Sequence, residues 1–234
     1  MAWADAGTLT GFAFSLPYGD RKDMSHLTRS IKVSALAGLL ALVVGNALAQ
    51  VVVEDRATCD RAYKPQVGQE GKDVVWVPTP DEVVQRMLQV AKVTSKDIVY
   101  DLGAGDGKIA IAAGKLGATS IGIEYNADMA KLAQCYVQAE KLSGKTRIVQ
   151  GDVFVSDFRD ATVVTMYLLP ELNVRLLPKL LKDLKPGTRI VSHAFQMGTW
   201  TPEQTLDVGG RAVYFWTIPA PGTPAHAAAM AASK

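Results

Sequence analysis

The chain has 234 residues, of which 48% are apolar, 21% charged and 7% aromatic, with a net charge of +2. That composition excludes a disordered chain, a collagen-like repeat and a multi-span membrane protein, and so small a charge carries no footprint of a dedicated nucleic-acid binder. Cys59 and Cys135 are too few for a disulfide framework or a multi-cysteine metal site; they leave one optional bridge should the chain reach an oxidising compartment.

Near the N-terminus, Arg29 and Lys32 precede an apolar run from Val33 to Val44, followed by Ala47-Leu48-Ala49. The run has the length of a signal-peptide core and is short for a membrane span, and the small-x-small triplet suits a cleavage site. An uncleaved anchor and a buried helix are the alternatives. Met24 stands where such a signal begins, so residues 1–23 are expected to be an upstream extension and 24–49 a signal peptide or anchor. Export or membrane association through residues 33–49 follows as an expectation, with cytoplasmic residence as the alternative. Residues 55–218 make one domain by size. Residues 219–234, rich in Pro, Ala and Gly, are expected to be a flexible tail.

Thr79-Pro80-Asp81-Glu82 reads as a helix start, with Thr79 as N-cap and Glu82 closing a capping box. Val83, Val84, Met87, Leu88 and Ala91 then form an apolar stripe. Ile98 to Leu102 is a short strand running into glycines. A helix from Ile109 to Leu116, a strand from Ser120 to Glu124 and a helix capped by Asn126 follow. Strands are predicted over Thr146–Gln150, Thr162–Tyr167 and Arg189–Ser192. Between the last two, Leu172 to Leu184 is helical, with Pro178 expected to kink or divide it. Leu206–Val208 and Arg211–Thr217 flank Gly209-Gly210, a hairpin signal. Strands alternating with helices predict an α/β, Rossmann-like, mostly parallel sheet with helices on both faces and a terminal antiparallel hairpin. Ligands on such sheets sit beyond the carboxyl ends of the strands.

The loop after Leu102 carries the strongest signal, Asp101-Leu102-Gly103-Ala104-Gly105-Asp106-Gly107. Glycines two apart let backbone approach a ligand closely. The spacing differs from the dinucleotide fingerprint, and an acid ahead of the first glycine would repel a pyrophosphate but receive an ammonium group. That argues against a nicotinamide-dependent oxidoreductase. Glu124 ends the second strand, where a carboxylate accepts both hydroxyls of a ribose. Asp152 follows the third, where it accepts from an exocyclic amine. Singly each acid reads as a turn former or cap; together they describe a pocket for an amino acid, a ribose and an adenine.

These motifs resemble class I S-adenosylmethionine-dependent methyltransferases from about Val74 to Thr217. Val77-Pro78-Thr79-Pro80, with Ser192-His193-Ala194-Phe195 and Trp200, resembles more narrowly the small protein-lysine methyltransferases, archaeal and mitochondrial, the latter acting on the ATP synthase c-subunit and the adenine nucleotide translocase. The resemblance implies a seven-stranded sheet and S-adenosylmethionine as cofactor. It implies Asp101, Gly103, Ala104, Gly105 and Gly107 around the methionine end, Glu124 and Tyr125 at the ribose, and Asp152 and the Val153 amide at the adenine. Thr79 would reach the methionine carboxylate or simply cap its helix. The segment Tyr167-Leu168-Leu169-Pro170 takes the place where many amino-methylating relatives carry an Asp/Asn-Pro-Pro-Tyr motif. Its absence argues against DNA-base methylation. Tyr167 and His193 are the candidate catalytic side chains; Glu171 is a cap or a contact for a cationic substrate. Trp76 and Trp200 line a lysine channel or merely pack. The expected partner is a protein substrate offering lysine, with a membrane protein among the candidates, no nucleic acid and no metal. A small-molecule methyltransferase, with the Trp76 region as lid, and a non-catalytic S-adenosylmethionine-binding module are the alternatives.

Overall fold

The computed structural model describes residues 55–71 and 75–232, so the expected extension and leader at 1–49 lie outside the described residues. In chain order the elements are α1 (Arg56–Ala62), α2 (Asp81–Val90), β1 (Ile98–Leu102), α3 (Lys108–Lys115), β2 (Thr119–Glu124), α4 (Ala127–Ala139), β3 (Thr146–Gln150), β4 (Val163–Met166), α5 (Pro170–Asp183), β5 (Arg189–His193), β6 (Gln204–Val208), β7 (Arg211–Thr217) and α6 (Pro224–Ala231). The strands form one seven-stranded sheet in the order β3-β2-β1-β4-β5-β7-β6. β3 to β5 are joined in parallel, and β7 returns antiparallel between β5 and β6. The expected architecture is therefore present.

Alternation along the strands divides the core into two layers. Val99, Val163, Val191 and Val213 face α2 and α3, against Val83, Met87 and Ile109. Tyr100, Leu102, Val164, Met166 and Ile190 face the other way, against Leu176, Leu177 and Leu180 of α5. β1 lies between β2 and β4, so the chain's winding reverses there. A crevice opens beyond the carboxyl ends at such a switch point.

Three expectations are corrected, and one element is added. Pro178 does not divide α5: the helix runs unbroken from Pro170 to Asp183, because its leucine stripe is buried on both sides of the proline. The N-cap of α2 is Pro80, with no side-chain cap bond, so Thr79 does not cap it. The segment after Pro219 does not lack structure. Thr223 caps α6 by accepting from the His226 amide, and Ala229 and Ala232 join the α5 core, since alanine is small enough to seat a helix closely. Finally, α1 lies outside every predicted element. It is short, capped by Asp55, and held to α4 by a Cys59–Cys135 disulfide with Cα atoms 5.8 Å apart.

Candidate active site

A cavity of about 330 Å³ occupies the crevice, within the range of small-molecule sites. Its floor is the end of β1. Asp101 is 2% exposed, and one carboxylate oxygen, Oδ1, accepts from the Thr165 hydroxyl of β4 at 2.8 Å. The other, Oδ2, is buried without a partner. Burial chiefly, with the nearby charges of Asp106 and Glu124, pushes this carboxyl up to about 7; the Thr165 bond opposes the rise. A buried acid with one oxygen still unpaired suits an ammonium group.

The glycine loop folds over that floor. Gly103 and Gly105 have φ of +77° and +53°, a region that L side chains rarely adopt. A Cβ on Gly103 would lie 2.7 Å from Leu168 Cδ2, and one on Gly105 2.7 Å from the Trp76 indole nitrogen. The amides of Gly103 and Ala104 both donate to the Ile123 carbonyl at 2.9 Å, pinning the loop to β2. Glu124 finishes the fastening: the Gly105 amide donates to its Oε2 and the Asn126 amide to its Oε1, each at 2.8 Å. With one backbone donor on each oxygen, the carboxylate is fixed in the cavity wall and keeps lone pairs for a diol. After β3, Asp152 is set by a turn in which the Phe154 amide donates to its Oδ1 at 2.9 Å. Val153 and Phe154 line the same end.

The wall opposite is apolar and aromatic, built from Tyr167, Leu168, Leu169, Leu172 and Phe195. Tyr167 lies between two rings, His193 with centroids 4.0 Å apart and Phe195 at 6.0 Å. Both rings come from the turn that ends β5, where Ala194 has φ of +64°. Asn173, fully buried in α5, holds this turn. Its Nδ2 donates to the Phe195 and Gln196 carbonyls at 3.3 and 3.2 Å, while the Ser192 hydroxyl also donates to the Phe195 carbonyl at 2.6 Å. His193 Nδ1 is 3.2 Å from the Thr79 hydroxyl. Burial chiefly, and the charge of Arg211, push this imidazole down to about 4, so it is neutral at physiological pH. Among the described residues, no group of three or more His, Cys, Asp or Glu side chains is disposed to hold a metal ion.

The family model described as the ANTKMT methyltransferase domain matches residues 101–204, from the floor acid to the start of β6. A protein-lysine N-methyltransferase of Saccharolobus islandicus is 47% identical over 137 residues, covering 58% of this chain and 85% of that protein. The chain belongs to this methyltransferase family. An ATP synthase c-subunit lysine N-methyltransferase of Rattus norvegicus is 25% identical across 82% of this chain and 85% of its own length. Among solved structures, an RNA methyltransferase from Salinibacter ruber in complex with S-adenosyl-L-homocysteine shares 46% identity and a TM-score of 0.62, over 63% of this chain and 97% of that one.

The methyltransferase cavity gathers most of the residues singled out from sequence: Thr79, Asp101, Gly103, Ala104, Gly105, Glu124, Tyr125, Asp152, Val153 and Tyr167 all line it. Gly107 does not; it is the N-cap of α3, with φ of +77°. His193 stands behind Tyr167 and outside the lining. Trp76 lies over Gly105 in the cavity, whereas Trp200 is buried in the core beside Trp216, whose indole donates to its carbonyl. Two residues that shape the site, Thr165 and Asn173, escaped the sequence reading. Each is a polar side chain inside an apolar run, Val163-Val164-Thr165-Met166 and Leu172-Asn173-Val174, and that is the signal by which they were findable.

Proposed function

We propose that this methyltransferase transfers a methyl group from S-adenosylmethionine to the side-chain amine of a protein lysine. The observation that carries the reading is one cavity in which Asp101, Glu124 and Asp152 converge from the ends of β1, β2 and β3 beside an apolar, aromatic wall. Asp101 would receive the ammonium of the methionine moiety, Glu124 the ribose hydroxyls, and Asp152 with the Val153 amide the adenine edge. The donor, when bound, supplies a methyl group already activated on a sulfonium.

The chain's own work is then positioning and drying. The wall of Tyr167, Leu169, Leu172 and Phe195 strips water from an arriving alkylamine and favours its neutral form. The nitrogen lone pair forms the new C–N bond as the C–S bond breaks. The electron pair stays on sulfur, and the nitrogen's proton leaves to solvent. The relatives' names support lysine as acceptor. The name of the Salinibacter ruber structure favours a second reading, RNA.

Labelled donor, incubated with this protein and a total cell lysate, separates the two. Label on lysine side chains, found by mass spectrometry, supports the proposal, and label recovered in RNA sinks it. Glu124→Ala and Asp152→Ala should each raise the dissociation constant for S-adenosylhomocysteine roughly 5- to 150-fold, since each removes a polar partner of the donor worth about 1–3 kcal/mol.

We further infer that the protein works in an oxidising compartment or at a membrane. The Cys59–Cys135 disulfide supports this location, as does the apolar segment at 33–49, which lies outside the described residues. Among the described residues no helix is long and apolar enough to cross a membrane. A C-terminal reporter fusion active only in the cytoplasm would overturn this localisation.

A further inference from the structure

Thr165 is fully buried on β4, directly opposite Asp101 in the parallel register. It is a polar side chain on the face where Val163 and Val191 are apolar core. A hydroxyl there costs free energy unless it is paired. It pairs with Asp101, 2.8 Å to Oδ1, and that bond leaves Oδ2 as the oxygen without a partner.

We propose that Thr165 is the positioning residue of the donor site: by holding Oδ1 it orients the Asp101 carboxyl and favours its charged form, with Oδ2 kept for the ammonium group of the donor. This rests on the donor-site reading above. A hydroxyl donating to a carboxylate favours the charged form. Here it works against burial, which penalises the charge, and against the acids Asp106, in the glycine loop, and Glu124, on β2, which repel it. Lys108, at the start of α3, is engaged by Asp81 at 3.0 Å. The Ala110 backbone amide helps Thr165, as the lesser of the two contributions. Without the Thr165 hydroxyl, Asp101 should hold its proton more tightly and present less charge to an ammonium group.

Thr165→Val keeps the shape and removes the hydroxyl; Thr165→Ser restores the hydroxyl. Two measurements read the effect. The first is the carboxyl titration of Asp101 by carbon-13 NMR in the ligand-free protein. The second is the dissociation constant of S-adenosylhomocysteine by calorimetry from pH 6 to 9. In Thr165→Val the titration midpoint should move up by about one pH unit, and affinity at pH 7 should fall about fivefold while recovering toward pH 9. Thr165→Ser should behave as the parent. A valine variant with the parent's midpoint and affinity at every pH overturns the proposal and leaves Thr165 as packing alone. If the valine variant does not fold, Thr165→Ala takes its place in both measurements. If the folded parent does not bind S-adenosylhomocysteine at any pH, the donor-site reading fails, while the ligand-free titration still decides what Thr165 does to Asp101.

Discussion

Asp101 shows how far one side chain's chemistry departs from its free form. Its carboxyl, pushed up to about 7 by burial first, is part protonated at neutral pH. For an acid raised in the fold, the protonated form is favoured there. Its contribution to stability is fully present below the unfolded value of 3.8 and is lost as pH rises through about 7. A cationic donor group reverses the preference, so binding should expel a proton. Calorimetry of S-adenosylhomocysteine at pH 6.5, in buffers of different ionisation enthalpy, should show net proton release that Asp101→Asn abolishes. Equal heats in all buffers would contradict the assignment of the ammonium to Asp101. The acid and its glycines were legible in sequence because the motif is contiguous. The weakened acidity was not, since it depends first on burial and then on the charge of Glu124 from β2, against a bond from Thr165 on β4.

Among the elements, α5 and the end of β5 depend on each other. The left-handed Ala194 costs about 1 kcal/mol or more, and it persists because Asn173, Ser192 and the Ala212 carbonyl over-determine the turn. Asn173→Ala takes the side-chain donor from the Gln196 carbonyl and leaves the Phe195 carbonyl to the Ser192 hydroxyl alone. It should lower stability by roughly 2–3 kcal/mol in urea melts, with S-adenosylhomocysteine affinity nearly unchanged because the donor end of the cavity is built elsewhere. The sequence located α5 by its leucine period and placed its boundary within a few residues. Its expectations that Pro178 would divide α5 and that Thr79 would cap α2 fail for one reason. Local propensity marks where a helix would prefer to stop or be capped, and burial of the leucine stripe and the His193 contact outweigh that preference.

For the whole molecule, the disulfide is the covalent restraint on α1. It closes a loop with a sequence separation of 76 and secures that helix, whose other attachments include an Arg56–Glu140 pair and a bond from the Tyr136 hydroxyl to Asp60. In the chain-entropy account a loop of this length contributes about 4.5 kcal/mol, and measured values run about 2–4. Reduction should lower the thermal midpoint by roughly 5–15 °C, and the Cys59→Ser/Cys135→Ser protein should match the reduced one. An unchanged midpoint would show that the bond restrains nothing the core does not already hold.

By itself, the sequence determined the class of fold, the order of strands and helices, the closing hairpin and the three acids at the ends of β1, β2 and β3. Each rests on a local period or a contiguous motif. Only the tertiary structure decided which of those residues share a cavity, that Gly107 and His193 stand outside its lining, and that Cys59 meets Cys135. It also decided that an alanine-rich end packs as α6 and that Thr165 bonds Asp101. These are contacts between residues far apart in the chain, and their energies come from burial and pairing that no local window contains.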